Sequence, residues 1–202
     1  MARGGASLLA AAVIVAIVLV SSGGDDTPGA TRSAIPRGNL LPNPSFEQNL
    51  DHWDTSDSKL SRIRVPDAPD GRYVVQVEAT KPGEEYSIDN DDDAVKDAIE
   101  GQAYTATAYV KGTEASDGQT ACLQIRERPQ GDSTAVRLSY DRTALSASRY
   151  KPLGTTLVAK GAGNRIDAYV FGTDSVQEGD AFRADAMSMV KGGGGATTPG
   201  RC

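Results

Sequence analysis

The side chains that could do chemistry in this sequence are mainly carboxylates: 27 Asp and Glu residues stand beside a single histidine, His52, and two cysteines. A pair of carboxylates can cleave a glycosidic bond, but the spacing of such a pair exists only in three dimensions. No serine lies in a G-x-S-x-G turn, and Cys122 has no evident activating base. These residues favour a binding protein over an enzyme.

The cysteines, Cys122 and Cys202, allow a disulfide if the protein is exported, because oxidising compartments preserve such bonds. The glycine-rich tail at residues 191–202 is flexible enough to return Cys202 to the folded body. Alternatively, Cys122 is a small strand residue and Cys202 is a free or intermolecular thiol. The sequence leaves both interpretations open.

The net charge of −6 argues against a nucleic-acid surface, which needs clustered basic residues. The apolar run at residues 7–20 follows Arg3 and is typical of a secretory signal over residues 1–22. An uncleaved membrane anchor is the alternative, because the run is only slightly shorter than the roughly 20 residues that span a bilayer. Either way we expect the rest of the protein to be extracellular or on the cell surface, with membrane contact only through this segment.

The folded body is predicted at residues 39–190, between a polar linker at 23–38 and the tail at 191–202. Short runs rich in β-branched and aromatic residues recur along it, separated by Gly, Asp, Pro and Ser, which indicates an all-β antiparallel sandwich. Only residues 91–101 look helical, for a turn or two. The predicted strands are 60–65, 72–79, 103–112, 121–127, 135–140, 150–159, 165–172 and 181–190.

Alternation along these strands predicts which side chains leave the core, because successive side chains in a strand point to opposite faces. The inward set is apolar and contains Val75, Val77, Tyr104, Ala106, Ala108, Val110, Leu123, Ile125, Ile166, Ala168 and Val170. The outward set includes amide, guanidinium and tyrosine groups, namely Gln76, Tyr109, Gln124, Arg126 and Tyr169.

Those outward groups are the types that hold a sugar, whose ring faces stack on aromatics and whose hydroxyls bond to amides and charged groups. Whether all five form one carbohydrate-binding groove depends on the order of the strands, and we expect such a groove only because of the family resemblance given below. The alternative is that Tyr109 and Tyr169 are ordinary cross-strand partners on a solvated face. Trp53 is also aromatic, but its place beside the opening loop favours the core.

The acidic run at residues 89–100 has carboxylates at several positions of a calcium-loop motif. Ala94 stands where that loop needs a glycine, and no flanking helices are apparent. We interpret the run as a solvated loop rather than as a metal site.

Four blocks of the sequence resemble cellulase-associated carbohydrate-binding modules of families 4 and 9. They occur in the expected order across the body, although Ala186 stands where such modules often have a second aspartate after Asp185. The blocks are NLLPNPSFEQNLDHW (39–53), DGRYVVQV (70–77), EGQAYTATAYVKG (100–112) and FRADAMSMV (182–190).

The resemblance implies a jelly-roll sandwich of the galactose-binding-domain-like type that binds β-glucans, xylans or related glycans. It also implies a structural Ca²⁺ held by Glu47 and Asp185, which would join the first and last segments through oxygen ligands. In the opening block, Leu40 and Leu41 are expected to start an edge strand that Pro42 and Pro44 interrupt, with Phe46 closing the end of the core.

The expected function is therefore non-catalytic binding of polysaccharide or cell-wall glycan by an exported module. A structural or adhesive envelope protein without sugar binding is the main alternative, because aromatic residues are few: three Phe, seven Tyr and one Trp. A small hydrolase of glycosyl bonds is a third alternative, but one sandwich without long insertions leaves little room for an enclosed active site.

Overall fold

A computed structural model describes residues 34–55, 58–192 and Cys202. Within these ranges all regular elements are strands, arranged as two five-stranded antiparallel sheets. The predicted all-β antiparallel jelly roll is confirmed. The strands are β1 (Trp53–Asp54), β2 (Ser58–Arg64), β3 (Tyr73–Ala79), β4 (Gly83–Asn90), β5 (Ala103–Gly112), β6 (Thr120–Arg128), β7 (Arg137–Ala144), β8 (Lys151–Val158), β9 (Arg165–Val176) and β10 (Ala181–Lys191).

The order of strands is β1-β4-β9-β6-β7 in one sheet, called sheet I, and β2-β3-β10-β5-β8 in the other, called sheet II. The predicted inward set is confirmed, because each of its members is buried in the core between the sheets. In β5, for example, Tyr104, Ala106, Ala108 and Val110 are fully buried while the residues between them are half-buried. Each sheet therefore has one apolar inner face and one outer face of mixed character.

The sequence reading missed β4, which lies between β1 and β9 in sheet I. Its sequence, GEEYSIDN, is rich in acids and carries only two large apolar side chains, Tyr86 and Ile88. Both are buried in the core. Two inward residues are enough for a strand when neighbouring strands supply the hydrogen bonds on both sides.

The prediction of a short helix at residues 91–101 is wrong. Val95 instead forms an isolated bridge with Ile166, and the Ala98 N–H donates to the Asn164 carbonyl at 2.8 Å. Val95 and Ala98 are both buried in the core. Contacts with the start of β9 thus outweigh the weak helical preference of the segment.

The opening segment joins the core without forming the edge strand predicted at Leu40 and Leu41. The Leu40 N–H donates to the Met189 carbonyl at 2.7 Å, but positive φ angles at Asn43 and Phe46 turn the chain away from an extended path. Phe46 is fully buried, and its ring lies 5.4 Å from that of Trp53. Trp53 is 7 % exposed, which confirms its place in the core.

Among the described residues, no helix is long and apolar enough to cross a membrane. The predictions for residues 1–22, for most of the linker and for residues 193–201 of the tail lie outside the described residues.

Candidate functional site

The five residues predicted to form one groove lie on two opposite faces of the sandwich. Gln76 on β3 and Tyr109 on β5 belong to the outer face of sheet II, whereas Gln124, Arg126 and Tyr169 belong to the outer face of sheet I. The prediction of a single groove is therefore wrong. Alternation predicts that a side chain leaves the core, but both outer faces look the same in the sequence.

Arg126 is the central polar residue of the sheet I face. Its Nε and Nη2 donate to the two carboxylate oxygens of Asp167, each at 2.9 Å, and Nη2 also donates to Asp89 Oδ1 at 2.9 Å. Burial alone would lower the pKa of Arg126, but the bond to Asp167 and the charges of Asp167 and Asp89 outweigh burial and raise it. Arg126 is thus a cation whose position is fixed by carboxylates of two other strands, β4 and β9.

The carboxylates around Arg126 are themselves held in a wider ionic network. Arg128 bonds to both Asp167 and Asp93, and Arg165 lies 3.1 Å from Asp93. Asp167 is almost fully buried, and Arg126 and Arg128 provide hydrogen bonds to both of its carboxylate oxygens. Burial raises the pKa of Asp89, although its ion pair with Arg126 opposes the shift.

This network borders a small open cleft of about 270 Å³ at one end of sheet I. Asp54, which is exposed, lies directly opposite Asp89 in the pairing of β1 with β4. The cleft therefore offers carboxylate acceptors and guanidinium donors whose positions are set before any ligand arrives. Its lining residues are Asp54, Thr55, Asp89, Asn90, Asp91, Arg126, Arg128 and Asp167.

The sequence reading missed most of these residues. Asp89 and Asp93 belong to the acidic run at 89–100, which was interpreted as a solvated loop, but both form ion pairs with arginines of β6. Asp167 and Arg128 could have been found from alternation, because they point outward on β9 and β6 as Tyr169 and Arg126 do. The ion pairs that Asp167 and Arg128 form could not have been predicted, because such a prediction requires the order of the strands in the sheet.

Tyr169 does not offer the open aromatic ring that was predicted. Its ring lies 4.1 Å from the Arg126 guanidinium carbon on one side and 4.9 Å from the Phe171 ring on the other. Only 8 % of Tyr169 is exposed, and Gln124, which is level with Tyr169 and Tyr140, is 3 % exposed. The sheet I face is therefore chiefly a charged, hydrogen-bonding surface.

Cys122 also lies on the outer face of sheet I, level with Phe171, and it is bonded to Cys202. Of the two arrangements that the sequence left open, the structure has the intramolecular disulfide. Cys122 is fully buried, whereas Cys202 is exposed. The bond attaches residue 202 to the face that carries Arg126 and the cleft.

The predicted calcium ligands lie at the opposite side of the molecule, beside the turn between β2 and β3. Glu47 Oε1 accepts the N–H groups of Arg72 and Tyr73 at 2.8 and 2.7 Å. Its carboxylate lies so close to Gly71 that a Cβ there would come within 2.3 Å. Asp185 is fully buried, and its Oδ2 accepts the Asp70 N–H at 2.8 Å.

The chemistry of this position suits a hard cation in part. Asp185 Oδ1 is buried and has no hydrogen-bond partner, and burial together with the nearby Asp70 and Glu47 carboxylates raises the pKa of Asp185 to about 7. Among the described residues, however, no three His, Cys, Asp or Glu side chains gather as a metal site. Arg62 also occupies the Phe46 and Glu47 carbonyls, so other backbone oxygens would have to complete the shell.

Comparison with known proteins places this architecture among sugar-recognising domains. The sequence model of a family described as a carbohydrate binding domain matches residues 38–177. Among curated protein sequences, none matches the chain.

Solved structures that resemble this one include two isolated modules. The CBM22-2 xylan-binding domain of Paenibacillus barcinonensis Xyn10C has a TM-score of 0.55 and 13 % identity, with 74 % of this chain and 98 % of that one covered. TmCBM61, solved with β-1,4-galactotriose, has a TM-score of 0.51 and 14 % identity, with 76 % and 99 % covered. At these identities the likeness shows the fold alone.

A third similar structure belongs to a larger enzyme. The arabinose-bound α-L-arabinofuranosidase MgGH51 has a TM-score of 0.59 and 13 % identity, with 76 % of this chain covered but 26 % of that one. The chain therefore spans about a quarter of that enzyme, and the likeness concerns one of its parts.

Proposed function

Since this chain belongs to the carbohydrate binding domain family, we propose that it binds polysaccharide without catalysis, through the cleft on the outer face of sheet I. The resembling modules include one named as xylan-binding and one solved with a galactan fragment, so xylan and β-1,4-galactan are the first ligands to test. The predicted export signal supports action outside the cell, on cell-wall or other extracellular glycan.

The observation that carries this proposal is the Arg126 guanidinium fixed between Asp89 and Asp167 at the edge of the cleft. A sugar hydroxyl both donates and accepts hydrogen bonds, so it can bridge a carboxylate and a guanidinium. Nη1 of Arg126 takes no part in the three bonds that fix the side chain, so its two N–H groups can face a ligand. Because these groups are already ordered, little conformational entropy is lost on binding.

A structural or adhesive role without sugar binding is the second candidate. It is favoured by the covering of Tyr169, whose ring is therefore not open to stack on a sugar. The two functions differ in whether cleft substitutions change glycan affinity.

We expect Asp54→Ala and Arg126→Lys each to lower the affinity for the bound glycan at least tenfold, which corresponds to about 1.4 kcal/mol. Asp54 is exposed, so its loss removes an acceptor without disturbing the core. Lysine keeps the charge of Arg126 but cannot hold Asp89 and Asp167 in one planar fork. Affinity electrophoresis on xylan, β-1,4-galactan and β-glucan, followed by calorimetry, measures the change.

The matched controls are Gln76→Ala and Tyr109→Ala on the outer face of sheet II, which are expected to bind as the unmodified protein does. Near-ultraviolet circular dichroism verifies that each variant is folded. Glycan binding lost in the sheet II variants and retained in the cleft variants would refute the placement of the site. No binding to any of the three glycans would favour the structural role.

We also propose that Ca²⁺ is held beside the β2–β3 turn by Glu47 and Asp185. The unpartnered Asp185 oxygen and the nearby carboxylates of Asp70 and Glu47 support this proposal. Bound calcium would supply positive charge and oxygen coordination, which joins the opening segment to β10.

Removal of calcium is therefore expected to lower the melting temperature by about 5–10 °C, since calcium at 100 times its Kd adds about 2.7 kcal/mol to a domain of this size. Differential scanning calorimetry in 1 mM CaCl₂ and in EDTA provides the comparison. In Glu47→Gln the two conditions should give nearly the same melting temperature. An unmodified protein that melts identically in both conditions would exclude a structural calcium.

A further inference from the structure

A second cleft lies at the turn between β2 and β3, away from the sheet I site. Its volume is about 650 Å³, and it is lined by Arg64, Val65, Pro66, Gly71 and Arg72. β2 begins near sheet I, where the Oγ of Ser58 accepts the Ser87 N–H, and it ends at Arg64. At about 3.3 Å per residue, β2 spans roughly 20 Å between Ser58 and Arg64, which borders this second cleft.

The two arginines of this cleft have no side-chain partner among the residues that the structure describes. Arg64 and Arg72 are exposed, and the guanidinium of neither makes a hydrogen bond or ion pair with another described residue. By contrast, Arg126, Arg128 and Arg165 of sheet I are all paired with aspartates. In a protein with a net charge of −6, two adjacent unpaired arginines form a local basic site.

Hydrogen bonds fix the backbone that carries these two arginines. The Val65 N–H donates to the Arg72 carbonyl at 3.0 Å and closes the turn. Glu47 accepts the N–H groups of Arg72 and Tyr73, and this approach requires glycine at position 71, where φ is +71°. The two guanidinium groups thus extend from a fixed hairpin end.

The acidic residues of the same turn form no ion pair with either arginine among the described residues. Asp67 is paired with Lys111 at 2.7 Å, and the hydrogen bond from Lys111 lowers the pKa of Asp67. The carboxylate of Glu47 is engaged by backbone N–H groups, and Asp70 lies beside Asp185, whose pKa its charge raises. Neither arginine therefore has to leave an ion pair with a described residue in order to bind a ligand.

We propose that this cleft binds the carboxylate of an acidic sugar unit, so that the protein recognises uronic-acid-bearing glycan at a second position. A guanidinium matches a carboxylate with two parallel hydrogen bonds, and two unpaired arginines can hold one carboxylate from two sides. The exposed Pro66 supplies an apolar surface against which the C–H face of a sugar ring can lie. This site goes beyond the proposed function and does not depend on the sheet I cleft.

The experiment measures binding of trigalacturonate and of its methyl ester to the full chain by isothermal calorimetry. We expect binding of trigalacturonate that weakens at least tenfold on esterification and at least tenfold in the double variant Arg64→Gln/Arg72→Gln. Increasing NaCl from 50 to 200 mM should also weaken it, because the contact is charged. The variant Asp54→Ala in the sheet I cleft should bind trigalacturonate as the unmodified protein does.

The matched control is Arg137→Gln/Arg149→Gln, which removes the same charge from two exposed arginines elsewhere. An equal loss in both double variants would show general electrostatic attraction and overturn the site. Absence of trigalacturonate binding, or unchanged affinity for the methyl ester, would overturn it as well. A loss in Asp54→Ala alone would place acidic-sugar binding in the sheet I cleft instead.

Discussion

Cys202→Ser is expected to lower the free energy of unfolding by about 4–5 kcal/mol. The disulfide joins residues that are 80 positions apart, so its loss releases a long loop in the unfolded chain. For a loop of that length the chain-entropy model yields about 4.5 kcal/mol. In a domain of this size such a change lowers the melting temperature by about 10–18 °C.

Cys202 is the better residue to replace because it is exposed, whereas removal of the buried Cys122 side chain would also leave a cavity. Urea denaturation at equilibrium measures the difference, with and without dithiothreitol. The reductant should destabilise the unmodified protein to the level of the variant and leave the variant unchanged. If Cys202→Ser is as stable as the oxidised protein, the bond does not constrain the unfolded chain as the model requires.

Glu127→Leu is expected to lower the free energy of unfolding by about 3–5 kcal/mol. Glu127 is fully buried on β6, and its carboxylate accepts the N–H groups of Lys160 and Gly161 and the side-chain amide of Asn164 at 2.7–2.9 Å. These donors lie in the connection from β8 to β9. Leucine would leave them without an acceptor, and each unsatisfied buried donor costs about 1–3 kcal/mol.

Glu127→Gln is the matched variant, because it keeps the shape and one acceptor oxygen. We expect a smaller loss of about 1–2 kcal/mol, since the new NH₂ group would face other donors. Urea midpoints at constant m-value give the comparison. Equal stability of Glu127→Leu and the unmodified protein would mean that the connection satisfies its N–H groups without this carboxylate.

Much of the fold could be predicted because the signal for it is local. Alternation in AYTATAYVKG and RIDAYVF identifies buried residues wherever the strands are placed. Alternation did not identify β4, because among its many acids only Tyr86 and Ile88 are large apolar residues that point inward. The helix predicted at residues 91–101 is absent, because Val95 forms a bridge with Ile166 instead.

The candidate site was predicted less well. Arg126 was chosen correctly as an outward polar residue of the face that carries the cleft, but its carboxylate partners Asp89 and Asp167 were not. They come from β4 and β9, which are separated from β6 by tens of residues. An ion pair across strands is visible in a sequence only when the order of the strands is known.

The sequence alone determined the all-β class, much of the core and several of the side chains that leave it. The tertiary structure decided which of those side chains share a face: it divided Gln76 and Tyr109 from Gln124, Arg126 and Tyr169, and it brought Cys202 to Cys122. The physical reason is that side-chain direction follows from backbone geometry within one strand, whereas the assignment of a strand to a sheet depends on hydrogen bonds to distant strands.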